Sequence, residues 1–212
     1  MMRVSLTDAG KRFNRDWIFR HISQEFHAGG FYALTGPNGS GKSTLLQVIA
    51  GAILPSEGKV EYTNHFKQLT VEEQYLDITI CAPYLELIEE MTAAEFLTFH
   101  ERFKPWTAGQ NHEEMLGKVG LGDAGEKQIR YFSSGMKQRL KLLQAIFSDS
   151  SVLLLDEPCS NLDQSGVNMY RQLMTDHTQG RLVIISSNDK MEYDFCDHII
   201  WMPDHKKVKQ AE

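Results

Sequence analysis

No stretch of this sequence approaches the roughly 18 consecutive apolar residues that a membrane-spanning helix needs. The best aliphatic runs, such as VLLL at 152–155, are only strand-length, so the chain is not expected to cross a bilayer by itself. Positive charge is not in excess either. With 22 Lys and Arg against 28 Asp and Glu, the formal net charge is −6, a poor basis for wrapping nucleic acid, and no nucleic-acid partner is expected. Cysteine is scarce: Cys81, Cys159 and Cys196 form no paired spacing, which points to reduced, mostly buried thiols of a cytosolic protein. The opening MMRVSLTDAG lacks the apolar stretch of a secretion signal. Internal repeats, a low-complexity linker and a coiled-coil insertion are also missing. What is present is ordinary: 212 residues, 42% hydrophobic and 24% charged, enough for one sizeable domain or two small ones sharing a core.

The first thirty residues alternate short apolar stretches with turn signals, which predicts a small set of antiparallel strands, with Gly29-Gly30 as the turn before the last of them, FYAL at 31–34. That strand enters a Gly-rich turn and then an apolar helix. PSEGKVEY (55–62) reads as another turn and strand. From about residue 88 to 150 the pattern becomes helical. Thr92 with Glu95 has capping-box spacing, Asn111 with Glu114 repeats it, and Met136, Leu140, Leu143 and Phe147 recur at helical spacing. VLLLDEP and RLVIISSN then suit buried parallel strands, and HIIWMP (198–203) an edge strand. The tail DHKKVKQAE, with Lys206, Lys207 and Lys209, is expected to be solvated.

GPNGSGKS (36–43) fits G-x-x-x-x-G-K-[ST] at every fixed position. Gly36, Gly39 and Gly41 let the backbone wrap phosphates that a Cβ would obstruct, and the loop N–H groups and the following helix dipole point at the anion. The expected nucleotide-binding segment runs from Gly36 through Pro37, Asn38, Gly39, Ser40, Gly41, Lys42 and Ser43 to Thr44. Lys42 neutralises the β- and γ-phosphates, and the Ser43 hydroxyl is a Mg²⁺ ligand. VLLLDEP (152–158) supplies the complement: an apolar strand carries Asp156 to the carboxyl edge of the sheet, where it holds Mg²⁺ through water. Glu157 follows, placed to orient or deprotonate an attacking water. ATP and Mg²⁺ are therefore the expected cofactors.

A third stretch, FSSGMKQRL (132–140), sets two serines and a glycine before a basic amphipathic run, a helix start suited to an anion. FSSGMKQR resembles the signature sequence of ATP-binding cassette (ABC) ATPases, usually written L-S-G-G-Q, and SNLD (160–163) resembles that family's D-loop. The resemblance covers nearly the whole chain in the right order. It implies an α/β fold: a P-loop NTPase core with an N-terminal antiparallel β layer (about 1–87 and 151–212) and an inserted α-helical subdomain (88–150) ending in the signature. It also implies that two cassettes face each other head to tail, as a homodimer or heterodimer, the signature of one closing on the γ-phosphate held by the other. Ser133, Ser134 and Gly135 would make that contact, with Asp163 in the matching D-loop position, although SSG would also serve simply as a helix cap. The membrane partner would be an integral permease subunit, and the chain would sit peripherally on the cytoplasmic face of the cell membrane. PYLELIEEMT (83–92) is the stretch where the family seats a helix of that partner; Glu86, Glu89 and Glu90 also fit a merely solvated face. Phe13 matches the family's adenine-stacking aromatic, with Trp17 as rival and packing against the β layer open to both.

Two residues depart from the family pattern. Tyr84 stands where the Q-loop glutamine is expected, and a phenol is a poor Mg²⁺ ligand at neutral pH. Asn188 stands where the switch histidine is expected; an amide donates a hydrogen bond to the γ-phosphate but carries no proton's charge. Met136 replaces the signature glutamine. The resemblance thus implies the ATP-hydrolysing subunit of a transporter, with slow hydrolysis as the corollary of Tyr84 and Asn188. A soluble ABC ATPase outside transport and an ATP-switched regulator with weak hydrolysis remain the alternatives.

Overall fold

Two long strands dominate the N-terminal stretch because buried Val4 and Leu6 on one, and Phe19, Ile22 and Phe26 on the other, turn to a common side. The computed structural model describes residues 1–65 and 67–205, the side chains at 71 and 72 excepted; the tail lysines Lys206, Lys207 and Lys209 lie outside that range. β1 (Arg3–Phe13) and β2 (Asp16–His27) pair antiparallel from Arg3↔His27 to Phe13↔Asp16. The hairpin turns at Asn14, whose φ of 53° is tolerated by an asparagine. After β3 (Phe31–Thr35) and α1 (Lys42–Ile49), β4 (Glu57–Asn64) pairs antiparallel with the other edge of β1, and β5 (Lys67–Gln68) completes a four-stranded sheet of order β2-β1-β4-β5.

The chain continues through α2 (Val71–Asp77), β6 (Ile78–Cys81), α3 (Ala93–Glu101), α4 (His112–Lys118), α5 (Ser134–Phe147), β7 (Val152–Asp156), α6 (Gln164–His177), β8 (Leu182–Ser186), α7 (Lys190–Tyr193) and β9 (His198–Trp201). The second sheet has the order β6-β7-β8-β3-β9, with every pairing parallel. β9 is an edge strand, as its sequence suggests. β3 corrects the expectation from the first thirty residues: it does not join the antiparallel layer but pairs parallel with β8 and β9. Gly29-Gly30 therefore steps the chain from one sheet to the other, with Gly29 at φ 80° and its N–H bonded to Arg181 O.

Strand period decides what each face buries. Leu153, Leu155, Val183 and Ile185 face a core shared with Leu97, Met115, Leu140, Leu143 and Phe147 of the helices. Val152, Leu154, Leu182 and Ile184 face the opposite core, with Leu45, Ile49, Phe19 and Phe26. These eight strand residues are fully buried, each contributing about 1.5–3 kcal/mol, so the parallel sheet lies between two apolar cores. Thr92 forms a full capping box with Glu95, whereas Asn111 accepts only the Glu114 N–H. All three cysteines are free, Cys81 buried and Cys159 and Cys196 half-buried.

Candidate active site

The order β6-β7-β8-β3-β9 brings the carboxyl ends of β3, β7 and β8 side by side, the crevice where α/β sheets bind ligands. The loop leaving β3 carries Gly36, Gly39 and Gly41 at φ 135°, 77° and 100°, the left-handed region that glycine enters at least cost. At Gly41 space is limiting as well: a Cβ would stand 2.7 Å from Ile18 Cγ2. The loop tightens through Ser40 N–H to Pro37 O (3.0 Å), and α1 begins with Leu45 N–H to Gly41 O (2.8 Å).

Lys42, only 6% exposed, donates to Gly36 O at 2.7 Å and Pro37 O at 3.4 Å. Burial lowers its pKa, and the nearby carboxylates of Glu157 and Asp156 oppose that shift. Asn38, Gly39, Gly41, Lys42, Ser43, Thr44 and Glu157 line a cavity of about 240 Å³. Asp156 is buried, its Oδ1 accepting from Ser186 Oγ at 2.6 Å. Glu157 is exposed and holds a φ of 44°, its N–H donating to Ser186 O at 2.9 Å. Asn188, just past β8, donates from Nδ2 to Asn38 Oδ1 at 3.0 Å. Tyr84 follows β6 and is 46% exposed. Its phenol pKa is raised, chiefly by burial and further by Asp156, while a hydrogen bond from Gln47 on α1 opposes the shift. It stays protonated at neutral pH, which makes it a poor cation ligand.

The donor set fits a nucleoside triphosphate with Mg²⁺. Three left-handed glycines leave room for phosphate, Lys42 has only loop carbonyls to release, and the hard oxygens of Ser43 and Asp156 suit Mg²⁺. Buried Ser40 Oγ, in the same loop, has no partner among the described residues.

The remaining sequence candidates lie elsewhere. Ser133 N-caps α5, its Oγ accepting the Met136 N–H at 3.2 Å. Ser134 and Gly135 begin the same helix, and a Cβ on Gly135 would meet Asn161 O at 3.0 Å. Together with Arg139, Asn161 and Asp163 they line a second concavity of about 310 Å³ that shares no residue with the first. Asp163 N-caps α6, accepting from Gly166 N–H at 2.8 Å and Ser165 Oγ at 2.9 Å, with Arg139 at 3.3 Å. These bonds, the Gly166 one foremost, lower its pKa. Phe13, at the end of β1, is 48% exposed, with Lys11 Nζ 5.2 Å from its ring centroid. The Trp17 ring is already stacked by Arg20 at 4.2 Å and Arg12 at 5.6 Å.

Sequence reasoning did not mark Gln138, Ser186 or Glu192. Gln138 Nε2 donates to Pro158 O, and Glu192 Oε1 accepts from Cys159 N–H, both at 2.7 Å. No local pattern marks either residue, because each partner is 20 or more residues away in the chain.

Comparison with known proteins gives one consistent result. A family model described as ABC transporter matches residues 19–160. An uncharacterized ABC transporter ATP-binding protein of Bacillus subtilis (strain 168), YybJ, is 29% identical over 99% of this chain and 96% of its own length. A second from the same organism, YxlF, is 32% identical over 99% of this chain and 73% of its own. The fold is also that of MJ0796, solved as a dimeric bacterial ABC transporter cassette, with a TM-score of 0.80, 22% identity and 93% of each chain covered.

Proposed function

The chain belongs to the ABC transporter family, and on that premise we propose that it is the ATP-hydrolysing subunit that drives a separate integral membrane permease. As an ABC-type ATPase it binds and hydrolyses ATP. The proposal assigns it a peripheral position on the cytoplasmic face of the cell membrane; no helix among the described residues is long and apolar enough to cross a membrane.

One observation carries the reading: the phosphate cradle and the signature concavity are two half-sites with no residue in common. A second cassette, most simply another copy of this chain, would supply the missing half to each. Ser133, Ser134 and Gly135 would then meet the γ-phosphate held by the partner's cradle, with Asp163 beside them. The dimeric MJ0796 cassette of the same fold supports this arrangement.

Within one cradle Lys42 exchanges the Gly36 and Pro37 carbonyls for the β- and γ-phosphates, a charge-assisted bond stronger than the one it leaves. Ser43 and Asp156 would hold Mg²⁺, which when bound neutralises phosphate charge. Glu157 orients or deprotonates the attacking water. Asn188 turns its amide from Asn38 toward the γ-phosphate, and Phe13, whose face is freer than that of Trp17, stacks the adenine. With the expected division into a core (about 1–87 and 151–212) and a helical subdomain (about 88–150), residues 83–92 would lie between the two, where a membrane helix would seat.

A weakly hydrolysing, ATP-switched regulator is the second reading, motivated by Tyr84 and by the uncharged Asn188–Asn38 contact. Purification from detergent-solubilised membranes separates the readings. A co-eluting multi-span protein supports the transporter, and ribosomes or nucleic acid point to a soluble process. ATP-dependent dimerisation with negligible turnover in the partner's presence points to the regulator.

A further inference from the structure

The peptide group joining Pro158 to Cys159 is gripped at both ends by side chains from other elements. Its carbonyl accepts from Gln138 Nε2 and its N–H donates to Glu192 Oε1, each at 2.7 Å. Both side chains are almost wholly buried, 3% and 4% exposed. The residue just before this peptide unit's proline is Glu157, at a φ of 44°. A side chain with a Cβ stays in that region only where its surroundings over-determine it. On its amino side, the Glu157 N–H is fixed to Ser186 O at 2.9 Å. On its carboxyl side the Gln138–Glu192 grip performs the same service. Glu192 is itself anchored, its carbonyl accepting from Tyr170 Oη at 2.9 Å.

The chemistry of the grip is costly for a merely structural contact. Glu192 is a buried carboxyl whose pKa is raised, chiefly by that burial, with hydrogen bonds from Ser187 and the Cys159 N–H opposing the shift, and packing alone would be better served by an apolar side chain of the same volume. The location of the two residues is also informative. Gln138 lies one turn into α5, the helix that opens with Ser134 and Gly135; Glu192 lies in α7, four residues after Asn188.

We propose that Gln138 and Glu192 are positioning residues for ATP hydrolysis, which hold the Glu157 carboxylate in line with the attacking water by clamping the Pro158–Cys159 peptide from the signature helix and from the switch segment. Neither touches substrate. The clamp rests on the reading of Glu157 as the water-activating residue, and it adds a route by which movement at the signature or at Asn188 reaches that carboxylate.

Gln138→Met and Glu192→Met keep side-chain length and remove the hydrogen bonds, while Glu192→Gln keeps an acceptor oxygen for Cys159. Steady-state and single-turnover hydrolysis by the full chain is measured for each, alone and in the Glu157→Gln background, with nucleotide affinity by calorimetry and folding by thermal melting. The expected result is a fall in kcat of about 10- to 100-fold for each Met variant, as misplacement of a catalytic group by about 1 Å produces. ATP affinity should stay within about twofold, and Glu192→Gln should retain most of the turnover. In the Glu157→Gln background the Met substitutions should cause no further fall, because they act through a carboxylate already gone. Should Glu192→Met melt early, Gln138→Met decides alone. A slow Glu157→Gln enzyme together with Met variants that turn over like the wild type, or that lose the same factor again in the Glu157→Gln background, overturns the clamp alone. Wild-type turnover in Glu157→Gln overturns the reading of Glu157 and the clamp with it.

Discussion

His100 makes the packing of α3 against α5 sensitive to acid. It lies at the end of α3, half-buried between Trp106, with ring centroids 4.8 Å apart, and α5. Gln144 Nε2 faces Nδ1 at 3.0 Å and Ser148 Oγ faces Nε2 at 2.8 Å. Since the Gln144 amide donates, Nδ1 accepts and the proton sits on Nε2: this is a neutral imidazole. Burial, with the nearby Lys104 cation adding to it, lowers the pKa from 6.5 to about 4. The folded pKa lies below the unfolded one, so the ring contributes stability that is complete above about pH 6.5 and is lost as pH falls toward 4. At about 1.36 kcal/mol per unit, the loss between pH 7 and pH 5 has a ceiling of about 2 kcal/mol. Screening of a partly exposed ring brings it to about 1–1.5 kcal/mol, or about 2–6 °C in melting temperature for a chain of this size. Other groups titrate too, Asp163 and Glu57 among them, so the measurement is a difference. Chemical denaturation of the wild type and of His100→Gln is followed at pH 7 and pH 5. The substituted amide keeps a donor and an acceptor but does not titrate. The wild type should lose about 1–1.5 kcal/mol more than the variant over that interval. Equal losses would refute the neutral, buried assignment of His100.

Phe13→Ala should weaken ATP binding by about 5- to 150-fold, the equivalent of about 1–3 kcal/mol of stacking, and leave inorganic tripolyphosphate binding unchanged by calorimetry. Trp17→Ala should weaken it far less, because Arg20 and Arg12 already occupy that ring. Lys42→Ala should lower nucleotide affinity by at least about tenfold through loss of charge-assisted bonds, and unchanged affinity would show that the cradle is not used as described. Asn188→His offers the γ-phosphate a partner that can be protonated, worth about 1.5–3 kcal/mol per bond. If that bond strengthens in the transition state, ATPase rates measured from pH 5 to 8 should rise and acquire a pH dependence absent from the wild type.

The glycine loop and the strand carrying Asp156 were legible in the sequence because their signals are local: three glycines within six residues dictate the loop, and four aliphatics dictate the strand that leads to Asp156 and Glu157. The pairing of β3 was not, since a five-residue apolar run fits a hairpin or a parallel strand equally well. Only tertiary packing decides that Gly29-Gly30 changes sheets. Trp17 rivals Phe13 as an adenine platform in the sequence, and only the fold brings the guanidinium groups of Arg12 and Arg20 over its ring. Gln138 and Glu192 left no trace, because a polar residue in an amphipathic helix or a short turn reads as solvated until the fold buries it. The Asn188–Asn38 contact joins residues 150 positions apart, and no periodicity reaches that far.

Gel filtration of Glu157→Gln with Mg-ATP tests the central claim most directly. The substitution removes the carboxylate and preserves the side-chain shape, so nucleotide should still bind between the phosphate cradle of one chain and the Ser133–Gly135 segment of another. The expected result is a stable ATP-bound dimer that turns over very slowly and returns to monomer when the nucleotide is removed. A variant that remains monomeric under saturating Mg-ATP, or that hydrolyses ATP at the wild-type rate, would contradict it.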